Sequence, residues 1–251
     1  MYFWESWKNK SEIEKRAIES IAEAIKVLFE FVPRNKIFAI YIKGSFVRRE
    51  MTEKSDVDIV PITLDNITLS IIDQLQKEKG KIYRPAELLP HSLEEFELGE
   101  KYLKSEGPKA NVDSFLRDLS SYQLIFGEPI DISKYKIRTD FEFLRDHIQA
   151  FRTIFIPLYL EGKFGFSDLI KQVFFLVQKV ERVKGKEPPS NWKELATFVD
   201  DDTHIIYECL KFREVSVKDP KAREEFIRRL NWYLDSLSKK YLSYNLGCSS
   251  L

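Results

Sequence analysis

The feature that most constrains this chain is a run rich in β-branched and aromatic residues at 36–42, cut off by Gly44-Ser45. Such a run suits a buried strand, and the glycine ends it. A second strand follows over residues 56–62 and opens Asp56-Val57-Asp58. Side chains alternate along a strand with period two, so Asp56 and Asp58 point to the same face. A helix over residues 11–32 precedes this pair. Ser11 and Glu14 offer it a capping box, Ile13, Ala17, Ile21, Ile25, Leu28 and Val32 recur at helical spacing, and Pro33 ends it.

Further along, the spacing predicts a helix over 67–78 closed by Gly80. A third strand follows over 81–89, where Pro85 favours an edge or a strand end. Ser92 and Glu95 suggest a second capping box for a helix reaching 104. After the break Glu106-Gly107-Pro108, residues 112–126 return to helical spacing and stop at Gly127. Beyond Pro129 the segments 141–160, 166–184, 191–199, 204–212 and 222–244 all read as helices, with no convincing strand between them. The expected fold class is α/β: an α/β domain over residues 1–130, then an all-helical domain over 131–251, joined through 128–136.

Chemistry concentrates between residues 43 and 60. Gly44 directly follows a strand, where a residue without a Cβ lets the backbone approach a phosphate and the next amides and the Ser45 hydroxyl donate to its oxygens. Asp56 and Asp58, repelling one another on one face, suit hard, oxygen-seeking Mg²⁺ ions. In a two-metal arrangement one ion holds the nucleotide phosphates and the other activates an acceptor hydroxyl as pyrophosphate leaves. Glu87, in the third strand, is the best candidate for a third carboxylate, since Asp65, Asp73 and Glu78 fall in a turn or on a helix. Arg48, Arg49 and Lys54 either grip phosphate or cover a solvated loop, with Glu50 and Glu53 among them.

The segment 36–90 resembles the signature of the DNA polymerase β-type nucleotidyltransferase superfamily, a Gly-Ser turn followed by an Asp-x-Asp strand. Ser55 before the first aspartate, Ile59 and Val60 after the second, and Arg48 at the basic position of the turn also fit. The resemblance implies a small mixed-sheet nucleotidyltransferase domain followed by a helical accessory domain, as in minimal nucleotidyltransferases and antibiotic-modifying adenylyltransferases. It implies that Gly44, Ser45, Arg48 and Ser55 bind the triphosphate and that Asp56, Asp58 and Glu87 are the metal ligands and catalytic carboxylates. ATP is the expected donor, Mg²⁺ the expected cofactor, and a hydroxyl of a small molecule or protein, held between the domains, the expected acceptor. Arg49 departs from the family, in which many members have a small residue, often Gly. The run Tyr122 to Pro129 resembles the helix end that closes this domain in the adenylyltransferases. The alternative is a regulatory or antitoxin-like module that binds nucleotide on the same fold without turnover.

Forty basic side chains balance forty acidic ones, so no global field draws the chain toward RNA or an anionic membrane. RNA is therefore the least suited acceptor. Cys209 and Cys248 form neither a disulfide framework nor a zinc site, the amino terminus is charged too early for a signal peptide, and the apolar run 153–160 is far too short to span a membrane. A cytoplasmic protein is expected. His91, His147 and His204 lack metal-ligand spacing and read as packed or surface histidines. The aromatic residues from Phe141 to Phe175 read as core at helical spacing, and Asp200-Asp201-Asp202 as a loop leading into a helix.

Overall fold

The structure, a computed structural model, describes residues 2–103, 111–201, 203–214 and 219–242. Asp202, Cys248, the break at 106–108 and the end of the last expected helix at Tyr244 lie outside the described residues. The chain divides into two compact units, Met1–Ile137 and Arg138–Leu251. The first is a mixed-sheet α/β unit and the second is helical, which is the fold class the sequence led us to expect.

In the first unit, helix α1 (Glu12–Phe31) begins at Ser11, which forms the expected capping box with Glu14. Strands β1 (Ile37–Lys43) and β2 (Val57–Thr63) pair antiparallel, and α2 (Asn66–Lys79) follows, capped by Asp65. Next, β3 (Ala86–Leu88) and β4 (His91–Ser92) both run parallel to β2, one after the other along its edge. Helices α3 (Leu93–Leu98) and α4 (Val112–Arg117) then lead to β5 (Gln123–Gly127), which pairs antiparallel with the free edge of β1. The sheet order is β3-β2-β1-β5.

Strand alternation sorts the apolar residues onto two faces. Ile40, Ile42, Val57, Ile59, Ala86 and Leu88 pack against Ala17, Ile21 and Leu28 of α1 and Ile72 and Leu75 of α2. On the other face, Ala39, Tyr41, Val60 and Ile62 lie under Phe96 of α3 and Phe115 and Leu116 of α4. This second cover stops short of the next residues along the same face, Lys43 and Asp58, which are only half-buried.

Three expectations are corrected in this unit. The third strand does not run over 81–89 but is confined to Ala86–Leu88. The Ser20 hydroxyl of α1 donates to the Tyr83 carbonyl and accepts from the Ala86 amide (2.8 Å), holding the chain in a turn, and the Tyr83 side chain is buried with its hydroxyl on Gln76 (3.0 Å). The helix expected to reach 104 ends at Leu98. Glu95 does not return to the Ser92 backbone as a capping box requires. Its carboxylate instead accepts from the Tyr102 amide (2.7 Å) and contacts His91 Nδ1 (2.9 Å). Finally, 112–126 is not one helix, and the run from Tyr122 is not a helix end. Helix α4 stops at Arg117 and the chain extends as β5 because β1 has an open edge to be paired. At Gly127 the two strands come so close that a Cβ would lie 2.0 Å from the Phe38 carbonyl oxygen.

The second unit contains α5 (Asp140–Ala150), α6 (Ile156–Leu160), α7 (Phe166–Val183), α8 (Trp192–Phe198), α9 (Ile205–Glu214) and α10 (Pro220–Leu237). A wider π turn, Phe151–Phe155, joins α5 to α6 ahead of Pro157, whose missing N–H cannot complete an α-helical ladder. Most of the aromatic residues are core as expected, with Phe151, Phe174 and Phe226 fully buried, whereas Phe141 and Phe175 are only half-buried. Among the described residues no helix is long and apolar enough to cross a membrane.

Candidate active site

The site starts where β1 ends. Residues 44–49 form a turn, with the Glu50 amide donating to the Ser45 carbonyl (2.8 Å) and the Arg49 amide to the Phe46 carbonyl (3.0 Å). Gly44 adopts φ +83°, and a Cβ built on it would sit 3.0 Å from Asp58 Oδ2. Glycine is thus favoured both by the left-handed backbone, where a side chain would be strained, and by the close carboxylate. The turn is anchored by Phe46, fully buried, whose ring lies 6.0, 5.7 and 5.0 Å from those of Phe3, Trp4 and Trp7.

Arg49 occupies a left-handed position, φ +57°, where glycine would be the unstrained choice. Its guanidinium forks onto the Glu14 carboxylate (2.7 and 3.1 Å), donates to the Lys8 and Asn9 carbonyls (3.3 and 3.4 Å), and lies 4.9 Å from the Trp7 ring. The hydrogen bonds from Arg49 hold the Glu14 carboxyl down at about 2. Arg49 therefore latches the turn to α1 and the amino-terminal segment. Its contacts offset the backbone cost, and its charge is paired with Glu14.

The acidic residues come together through strand register. Lys43 of β1 is the direct partner of Asp58 on β2, and Asp58 is the direct partner of Glu87 on β3. Partners across a ladder share a face, so Lys43, Asp58 and Glu87 form a row across three strands, all half-buried. Asp56 stands two residues before Asp58, just ahead of β2, and is exposed. Burial pushes the Glu87 carboxyl up, nearby Arg84 opposes this, and the negative charges of Asp56 and Asp58 raise it further. Arg84 Nη1 lies 2.8 Å from Glu87 Oε1. The row thus reads cation, carboxylate, carboxylate, cation.

The other expected phosphate ligands, Arg48 and Ser55, make their side-chain contacts within the loop that joins β1 to β2. Arg48 Nε donates to Glu50 (2.8 Å) at the exposed side of the turn. The Ser55 hydroxyl accepts from the Thr52 amide (2.9 Å) and closes the 52–55 turn. Ser55 also lines a cleft of about 500 Å³ with Arg16, Ser20, Glu53, Tyr83 and Arg84, on the α1 side of the sheet. The histidines are packed as expected: His91 on Glu95, His147 Nε2 on the Gln172 carbonyl (3.2 Å), His204 Nε2 on the Tyr233 hydroxyl (2.9 Å). Sequence reasoning missed Lys43, Arg84 and the aromatic anchor at residues 3–7. Lys43 and Arg84 become meaningful only once the register is known, whereas the cluster of Phe3, Trp4 and Trp7 was an available signal.

Among the described residues no three His, Cys, Asp or Glu side chains are gathered as a metal site. The donor chemistry nevertheless suits Mg²⁺. Asp58 and Glu87 present carboxylates from adjacent strands on one face, and Gly44 keeps the turn free of a side chain where a phosphate would approach.

No protein-family model matches the chain, and no curated protein matches it. Among solved structures it is similar to the spectinomycin adenyltransferase AAD(9) from Enterococcus faecialis, crystallised with ATP and spectinomycin. The TM-score is 0.49 at 12% identity, over 88% of this chain and 99% of that one. It is also similar to a protein of Sulfolobus solfataricus to which nucleotidyltransferase activity is ascribed, with TM-score 0.22 and 20% identity over 36% of this chain and 82% of that one.

Proposed function

We propose that the first unit is a nucleotidyltransferase that moves a nucleoside monophosphate from a triphosphate, ATP with Mg²⁺, to an acceptor hydroxyl. The observation that carries this reading is the Asp58–Glu87 pair in register beside the left-handed Gly44 turn. Gly44 and Ser45 offer backbone amides to the triphosphate, and Asp58 presses against the turn from below. Asp58 and Glu87, with Asp56 ahead of them, would hold Mg²⁺, which when bound supplies charge neutralisation at the phosphates. Glu87, more basic than an exposed glutamate, takes the proton of the acceptor hydroxyl. The acceptor oxygen forms its bond to the α-phosphorus while the bond from that phosphorus to the bridging oxygen breaks, releasing pyrophosphate.

Arg84 supports a second reading. Its ion pair with Glu87 occupies the third carboxylate, as in a module that binds nucleotide without turning it over. Labelled ATP incubated with Mg²⁺ and host lysate separates the two, and the fraction labelled identifies the acceptor as small molecule, protein or RNA. Asp58→Asn is expected to abolish transfer with the melting curve unchanged, as is removal of divalent cation by EDTA. Full activity in Asp58→Asn would overturn the site, and nucleotide binding without pyrophosphate release would favour the second reading.

A further inference from the structure

Lys43 is the last residue of β1 and leads directly into Gly44-Ser45. It follows Ala39 and Tyr41 on the face covered by Phe96 and Phe115, and stands past the end of that cover. Its ladder partner is Asp58, so its side chain rises from the same face as the carboxylates. Among the described residues its ammonium makes no ion pair and no hydrogen bond, although the side chain is half-buried. Its charge is nevertheless felt locally: burial pushes the His91 imidazole below its ordinary value, and the Lys43 charge acts in the same direction. The comparable cations around the site are committed: Arg48 to Glu50, Arg49 to Glu14, Arg84 to Glu87. A half-buried ammonium without a partner has lost part of its hydration and gains most from an anion delivered to it.

The anion that fits is a polyphosphate. It needs amides, which the turn after Lys43 supplies, and cations, while an acidic row alone would repel it. We propose that Lys43 is a phosphate-binding residue of the donor site, its ammonium donating to a non-bridging oxygen of the nucleotide's polyphosphate beside the Gly44-Ser45 turn. This rests on the donor reading given above and adds to it the residue that offsets the carboxylates' repulsion of the substrate. An adenosine monophosphate, lacking the polyphosphate, does not reach it.

The test compares wild type, Lys43→Met and Lys43→Arg by calorimetric titration with ATP and AMP in Mg²⁺, alongside Mn²⁺ binding without nucleotide followed by electron paramagnetic resonance. Lys43→Met is expected to weaken ATP binding about tenfold. AMP binding and the melting temperature are expected to stay unchanged, and Lys43→Arg to restore most of the ATP affinity. Unchanged ATP affinity in Lys43→Met would overturn the proposal. So would tighter Mn²⁺ binding with ATP affinity unaltered, which would make Lys43 a counter-ion to the carboxylates only. If wild type binds ATP and transfers from it while Lys43→Met binds ATP equally well, only the role of Lys43 falls. If wild type binds no ATP, the donor reading falls with it.

Discussion

At the scale of single residues, Arg49 shows how a local rule can be broken with compensation. A side chain stands in a left-handed position that favours glycine, and four groups from the amino-terminal segment and α1 hold its guanidinium. The sequence displayed the departure but not its partner, because Glu14 lies 35 positions away and looked like no more than half of a helix cap. Glu14 performs both tasks, and its carboxyl drops from the ordinary value near 4.5 to about 2. A carboxyl depressed in the folded state contributes stability that is fully present above its unfolded value and is lost as pH falls through its folded value. Acid should therefore weaken the first unit between about pH 4.5 and about pH 2. Glu14→Gln should cost about 1–2 kcal/mol at neutral pH, limited by water on the Arg49 side, and should flatten this part of the acid slope. Urea titrations at pH 7 and pH 3 measure both effects, and an unaltered slope would sink the assignment. Asp56, Asp58 and the Gly44 turn were legible because strand alternation and a missing Cβ are local properties. The partners of Lys43 and Glu87 were not, because ladder register is set by packing over the whole sheet.

At the scale of elements, periodicity recovered α1, β1, β2, α2 and the helices of the second unit, each of which has a clear apolar face or a cap. It failed where tertiary demand overrode spacing. Residues 123–127 satisfy a helical pattern well enough, but the open edge of β1 takes them as a strand. Residues 81–85 contain strand-forming side chains, but the Ser20 hydroxyl and the buried Tyr83 ring hold them in a turn. The turn carrying Gly44 depends likewise on a remote element, the aromatic segment at residues 3–7. Phe46→Ala removes the ring at the centre of that packing and should destabilise the first unit by about 3–5 kcal/mol. Chemical denaturation monitored by tryptophan fluorescence reads this directly, since Trp4 and Trp7 both touch Phe46. A loss below about 1 kcal/mol would mean the turn is held by its backbone alone.

At the scale of the whole chain, a zero net charge leaves no global field for a polyanion, so any attraction falls to a local arrangement of cations. The two units each have apolar cores of their own, one wrapped around a sheet and one inside a helical bundle. Calorimetry should accordingly resolve two transitions. Phe46→Ala should lower one, and Leu230→Ala, which opens a cavity in the helical core at a cost of about 2–5 kcal/mol, the other. One transition moved by both substitutions would show that the units unfold as one. The parallel pairing of β3 with β2 has a consequence for inheritance. Surface turns usually drift freely in length between relatives, since added loop costs little. Here a one-residue slip of β3 would bring Ala86 or Leu88 to the open face and send Glu87 into the core beside Ile59. A residue added or removed within 86–88 would force that slip, whereas one added in the turn at 80–85 can be taken up by the turn. The reach of Glu87 toward Asp58 is thus set by strand register and not by the length of the connection.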